Sequence, residues 1–298
     1  MTIESVDIVI LGHVAKDIIE VDGESYTSLG GAVYYGGIAG SHMGLEIAII
    51  TRLREDDFEF LEIFKKNGIK YYTYPSEETS GLKNIYSSTN MEFRTYESLG
   101  FAGLFKQEEI IDINAEFFVI SSITAGEVDL ELLKHLKTKY PENLCLDMQG
   151  FLRFRDNKKV IYSPLTLKEK KEIISNINVL KVDQIEAEVL TDQKNIKNAA
   201  KELLELGPRE ILVTHEDGIS IFGNNFSYSF SWKNKSSLGR TGRGDTAFIS
   251  YLGSRIKNNP EQSLKFAAAL TSLKLETPGP FSLPRNHVET LIKKEYSG

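Results

Sequence analysis

Leu238-Gly239-Arg240-Thr241-Gly242-Arg243-Gly244-Asp245-Thr246-Ala247-Phe248-Ile249 places three glycines directly ahead of an apolar segment. Ala247, Phe248, Tyr251 and Leu252 recur at helical spacing, so Gly244-Asp245 marks a helix start. Glycines before a helix let backbone N–H groups converge on an anion, and the helix dipole favours negative charge there. Such a turn suits a phosphoryl group in transfer, whose charge spreads over its oxygens. An aspartate beside it can take the proton of an attacking hydroxyl. Spacing alone reads equally well as a plain turn followed by an N-terminal helix aspartate. The glycines at 31 and 36 are followed by Gly37-Ile38 rather than Lys-Ser, so they form no Walker loop, and no GxGxxG follows the first strand.

Outward from this turn, short apolar runs at 6–11, 45–51, 117–120, 144–146, 179–182 and 211–213 read as buried strands. Helical patterns at 56–66, 130–137 and 167–177 separate several of them, which predicts a mostly parallel sheet covered on both faces. Two stretches, 18–26 and 83–96, are more polar and alternate, with aromatics at Tyr86, Phe93 and Tyr96. They read as antiparallel ribbon forming a flap. Phe226, Tyr228, Phe230 and Trp232 alternate as on an antiparallel edge strand. The expectation is one α/β domain over 1–298, with a small β lid drawn from about 14–36 and 83–105.

A net charge of −7 and a pI near 5.4 argue against a nucleic-acid partner, which calls for a basic face. They leave room for an anionic ligand held by local cations and helix termini. The single cysteine, Cys145, sits in an apolar run and reads as an inert buried thiol. Glu4 and Asp7 precede the first apolar run, unlike a basic signal peptide, and no stretch has the ~18 apolar residues of a membrane span. The chain reads as cytoplasmic.

The segment 241–248 resembles the C-terminal signature of the ribokinase-like (PfkB) carbohydrate kinases, usually written DTxGAGDxF. Other segments resemble that family in the same order: Gly12 with Asp17, Leu29-Gly30-Gly31-Ala32, Asp147-Met148-Gln149-Gly150, the run 180–188, and Val213-Thr214-His215-Glu216-Asp217-Gly218. The resemblance implies a three-layer α/β/α kinase that phosphorylates a hydroxyl of a small sugar, nucleoside or cyclic polyol such as inositol. It implies Asp245 as base and an anion hole from the amides of Gly242, Arg243 and Gly244. Asp17, Gly30, Gly31 and Tyr35 would face the substrate. Asp183, Thr214 and Thr241 would face the nucleotide, and Glu186 would hold magnesium through water. ATP and Mg2+ are the implied donor and metal, and a homodimer through the lid is compatible with the family.

The pattern is a variant. Gly239 replaces the usual aspartate, which puts a monovalent-cation site in doubt, and Arg243 replaces the usual alanine with Arg240 close by. Two guanidinium groups there could serve a phosphoryl group or an anionic substrate, or face solvent. Tyr35 stands where an asparagine often binds sugar, and would stack on a ring face or fill the pocket. Arg94 and Tyr96 on the flap are further substrate candidates, and His215 reads as an exposed turn residue. The rival reading is a non-catalytic ligand sensor of the same fold. Retention of Asp17, Glu186, Gly244 and Asp245 argues against it.

Overall fold

Ile8 and Ile10 face one apolar layer while Val9 and Leu11 face another, and this alternation on the first strand sets the architecture. In the computed structural model, residues 4–296 are described, save the side chains of Glu4, Asn90, Glu92 and Phe93. The central sheet holds β1 (Glu4–Leu11), β4 (Ile47–Leu53), β5 (Lys70–Pro75), β8 (Ile113–Ile120), β9 (Leu144–Asp147), β12 (Val179–Asp183), β13 (Glu210–Thr214), β14 (Gly218–Gly223) and β15 (Phe226–Ser231). Their order is β15-β14-β13-β12-β9-β8-β1-β4-β5. All pairings are parallel except the β13–β14 and β14–β15 pairs, so the alternating strand at 226–231 does close one edge antiparallel.

Both faces of the sheet are covered. Helices Ala32–His42, Arg243–Arg255, Pro260–Leu275 and Arg285–Glu295 supply one apolar layer. Helices Leu130–Lys139, Leu167–Ile174, Gln184–Thr191 and Ile196–Leu204 supply the other. Cys145 is buried in the sheet, where desolvation holds its thiol well above its ordinary pKa. Among the described residues, no helix is long and apolar enough to cross a membrane.

A second, six-stranded sheet forms the lid, in the order β10-β11-β7-β6-β2-β3. Its strands are β2 (Ala15–Val21), β3 (Glu24–Gly30), β6 (Gly81–Ser87), β7 (Asn90–Gly100), β10 (Arg153–Asp156) and β11 (Lys159–Tyr162). Asp22 (φ 50°) and Gly23 (φ 90°) make the two-residue left-handed turn between β2 and β3. Two features depart from the sequence reading. β2 pairs parallel with β6, so the flap is not purely antiparallel, because two separate hairpins are joined edge to edge. The hairpin β10–β11, which polar alternation too short to register concealed, extends the lid from a third segment. The ribbon's Phe93 side chain lies outside the described residues.

Two helices also differ from expectation. The segment expected as one helix over 56–66 winds tightly through Glu55–Leu61 before the α-helix Glu62–Lys66. Asp57 in the tight part accepts hydrogen bonds from Lys16 Nζ (2.8 Å) and Thr79 Oγ1 (2.6 Å). The helix expected over 167–177 stops at Ile174, and Ile177 enters the core from the following turn.

Glu127 fixes the passage from the central sheet to the lid. Its fully buried carboxylate accepts the amides of Ile123 (2.7 Å), Thr124 (2.9 Å) and His13 (3.3 Å), joining the loops after β8 and β1. Glu127→Ala should leave three buried amides without that acceptor and destabilise the protein by roughly 3 kcal/mol. Glu127→Gln, which keeps one carbonyl acceptor, should lose less. Urea unfolding of the two variants beside the native protein checks the order; equal stability of all three would refute it.

Candidate active site

The ends of the parallel strands dictate where the site can form. Asp147 closes β9, Asp183 closes β12 and Thr214 closes β13, all on the carboxyl edge of the sheet, where open α/β sheets form their ligand crevice. The helix Arg243–Arg255 starts over that edge, with Asp245 in its first turn. The lid contributes Asp17 from β2, Arg94 and Tyr96 from β7 and Arg153 from β10. Two cavities result. One is lined by Asp17, Gly31, Tyr35, Asn84, Thr241 and their neighbours, the other by Lys181, Asp183, Thr214, Arg240, Arg243 and Gly244. Gly242, Asp245, Arg94, Gln149 and Arg153 border both.

In the first cavity, Asp17 is buried and its Oδ1 accepts the Leu82 amide at 2.8 Å. Burial pushes its carboxyl up to about 7; the Leu82 amide and Arg94 oppose the shift, and Asp245 adds to it. A Cβ on Gly30 would stand 2.1 Å from Asp17 Oδ2, so the bare glycine is what admits this carboxylate. Gly31 adopts φ 86°, and a Cβ there would meet the His13 carbonyl at 2.4 Å. Tyr35 walls the pocket rather than presenting a polar contact. Its buried ring packs against Gly242, where a Cβ would meet Tyr35 Cγ at 2.2 Å.

That contact explains the turn. Gly242 takes the left-handed conformation (φ 80°) on top of an aromatic face, which excludes any side chain. Arg243 N–H donates to Arg240 O (3.3 Å) and Thr246 N–H to Gly242 O (3.0 Å). The first-turn amides of Gly244 and Asp245 are thus the ones a helix start leaves for an anion. Of the three amides expected in the anion hole, that of Arg243 is engaged within the turn, while Gly242 also shapes the turn. The Arg243 side chain is buried beside the Trp232 ring (5.8 Å) at the second cavity.

Asp245 lies among opposing influences. Burial raises its pKa above the ordinary carboxylate range, while Lys181, Arg153, Arg94 and Lys274 act against that rise. Asp183 goes the other way. Although burial disfavours its charge, Lys181 and Arg153 hold it below its ordinary value, and its Oδ1 caps the next helix by accepting Glu186 N–H (2.8 Å).

Two expected site residues lie in surroundings other than those anticipated. Thr241 faces the lid, not the basic cavity, because its hydroxyl is bonded to Tyr86 (2.8 Å), which also accepts from Arg94 (2.7 Å). Glu186 is fully buried and its oxygens are engaged: Oε1 accepts from Arg153 Nη2 (3.0 Å), and Oε2 accepts the Asp183 amide (2.7 Å) and lies 3.6 Å from Lys181 Nζ. Two cations already neutralise it. Among the described residues, no group of three or more His, Cys, Asp or Glu side chains converges as a metal site. With both oxygens engaged, Glu186 is not a free carboxylate for the magnesium expected there. His215 is half-buried rather than exposed, its ring facing Ser220 and its carbonyl accepting from Trp232.

Sequence reading missed Arg153 and Lys181. Lys181 interrupts the apolar run Val179-Leu180-Lys181-Val182, and a lysine in a buried strand signals a buried partner; here Asp147 accepts from it at 3.0 Å. Arg153 carried no such signal, since only the lid's third segment brings it to Glu186.

Residues 8–286 match the pfkB family of carbohydrate kinases. A pyrophosphate-dependent kinase of the ribokinase family, solved with sulfate, is 31% identical, with a TM-score of 0.87 over 95% of this chain and 99% of that one. A pyrophosphate-dependent myo-inositol-1 kinase converted into a myo-inositol-3 kinase is 30% identical, with a TM-score of 0.86 over 97% and 99%. A cytidine kinase of Thermococcus kodakarensis is 20% identical over 85% of this chain and 90% of its own length. With the family match spanning nearly the whole sequence, this chain belongs to the pfkB family of carbohydrate kinases.

Proposed function

We propose that this kinase transfers a phosphoryl group from a compact polyphosphate donor, pyrophosphate, to a hydroxyl of a cyclic polyol of the inositol class. The observation that carries the reading is the position of Asp245 on the border of two cavities, one holding Asp17 and the other Lys181, Arg240 and Arg243. The acceptor sits in the first, with vicinal hydroxyls donating to the Asp17 carboxylate and Tyr35 as the wall against its ring. The donor sits in the second. The acceptor oxygen attacks the near phosphorus, its proton passes to Asp245, and the P–O bond to the departing phosphate breaks. The Gly244 and Asp245 amides, with the flanking cations, take up the charge on the transferring group.

Pyrophosphate is favoured over the ATP expected from sequence for two reasons. Arg153, Lys181, Arg240 and Arg243 crowd one small cavity, which matches a ligand that is charge throughout rather than one with a nucleoside to house. The relatives at 30–31% identity are also pyrophosphate-dependent, one of them a myo-inositol kinase. A homodimer through the lid is part of this proposal, with exposed Leu99, Phe154 and Ile161 as apolar surface for it to cover.

A donor and acceptor panel tests the reading. Pyrophosphate and ATP are each offered with inositols, ribose and cytidine, following phosphorylated acceptor. Pyrophosphate with an inositol should turn over fastest, and preference for ATP with a nucleoside would overturn it. Asp245→Asn should lower kcat by about 100-fold or more while acceptor binding persists. Binding without turnover in the native protein would instead favour the sensor.

The Asp17 carboxyl also sets a pH dependence. Its pKa of about 7 in the folded protein means it is protonated below neutrality and gains full acceptor capacity above it. The acceptor KM should therefore fall as pH rises from about 6 to 8. Asp17→Asn should raise KM and flatten that dependence; a native KM unchanged across the range would count against Asp17 as the acceptor contact.

A further inference from the structure

Lys274 lies near the end of the helix Pro260–Leu275, in a run of buried residues, and is itself 2% exposed. Its Nζ donates to the backbone carbonyls of Gly239 and Thr241, both in the glycine-rich turn, and stands 4.9 Å over the Tyr35 ring. The same ring packs against Gly242, where a Cβ would overlap it. One ammonium thus bonds the two carbonyls that precede the anion-binding amides and rests on the aromatic that shapes the turn. Gly239 leaves no room for a competing side chain. A Cβ there would meet the Thr277 carbonyl at 2.1 Å and the Lys274 carbonyl at 2.5 Å, and its own amide donates to Leu275 O (2.8 Å).

Charge at this point is expensive to maintain. Burial draws the Lys274 ammonium down to about 7, opposed by Asp245 and reinforced by Arg240, Arg94 and Arg243. A buried lysine in such surroundings is ordinarily lost or neutral unless its acceptors are strong and fixed. Two converging carbonyls and an aromatic face are the ligand set of a small monovalent cation. We propose that Lys274 is a tethered monovalent cation: its ammonium holds the carbonyls of Gly239 and Thr241 so that the amides of Gly244 and Asp245 point at the transferring group, and phosphoryl transfer needs no added potassium or ammonium. Lys274 acts through the turn and does not touch the reacting atoms, so it is a positioning residue.

The inference rests on the phosphotransfer reading above, and its failure is separable from that reading's. Asp245→Asn abolishes turnover whatever the cation, whereas Lys274 variants should respond to cations. Initial rates are measured with tetramethylammonium as the background salt, titrating K+, NH4+ or methylammonium at constant ionic strength. The native enzyme should be insensitive to all three. Lys274→Ala should lose about 100-fold in kcat with little change in acceptor KM. It should regain about tenfold or more when ammonium, methylammonium or potassium fills the vacated space. Lys274→Met, which keeps the bulk without the charge, should be equally slow and not rescued. If Lys274→Ala fails to fold, the slow, folded Lys274→Met together with cation-insensitive native rates carries the test. A native enzyme that requires potassium overturns the proposal. So does a folded Lys274→Ala or Lys274→Met of undiminished activity, or a slow Lys274→Ala that no cation restores.

Discussion

Lys181 sets the terms for the site around it. A lysine in the middle of a parallel strand has no route to solvent, and its charge is tolerable only where carboxylates meet it. Asp147 does so from β9 at 3.0 Å and Glu186 from the following helix, while Arg153 reaches the other oxygen of Glu186 from the lid. Burial works against the Lys181 charge, yet Asp147, Glu186 and Asp183 outweigh it and hold the ammonium above its ordinary pKa. The network thus joins two central strands, one helix and the lid at one place. Removing a member would leave a buried charge uncompensated, which costs about 3–5 kcal/mol.

The same network determines what the second cavity can accept. Glu186, in the first turn of the helix after β12, is met by Arg153 and Lys181, so positive charge beside the cavity comes in part from side chains fixed to the protein. Fixed cations need no reorganisation when charge develops on a transferring phosphoryl group, and the proposed donor, made only of phosphate, would exploit them. The lid is coupled to this chemistry by more than contact. Arg153 ties it to Glu186 and Tyr86 ties it to Thr241, both beside the turn that carries Asp245.

Much of this was legible in the sequence, and the remainder was not for definite physical reasons. The buried strands were readable because a strand covered on both faces must be apolar at every position, as in Val179-Leu180-Lys181-Val182 save for its one lysine. The helix start at Gly244-Asp245 followed from glycines ahead of a periodic segment, and the grouping of Asp17 with Gly30-Gly31 was implied by the family resemblance. Arg153 was invisible because its burial depends on a hairpin of four-residue strands meeting a helix thirty-odd positions away. The parallel seam between β2 and β6 was hidden for a similar reason, since alternation reports which face a residue takes and not which neighbour the strand chooses. Lys274 was passed over in the sequence, and only the fold shows that its reach ends on the turn.

Asp245 draws these strands of argument together, because its chemistry depends on a balance that neither sequence nor geometry alone defines. A base that is too strongly stabilised as a carboxylate will not take a hydroxyl proton, and one that is too strongly desolvated will already hold it. Burial pushes Asp245 upward, and Lys181, Arg153, Arg94 and Lys274 each push it back. Those four cations come from the central sheet, two lid strands and the helix Pro260–Leu275, so the balance exists only when all of these elements are in place. Lys181, Arg153 and Arg94 also line the cavity where the phosphoryl group would be transferred. As that group brings negative charge, their pull on Asp245 weakens and its affinity for a proton rises. On the proposed reading, with Asp245 as base, a docked donor would make that carboxylate more basic, so proton removal would follow donor binding.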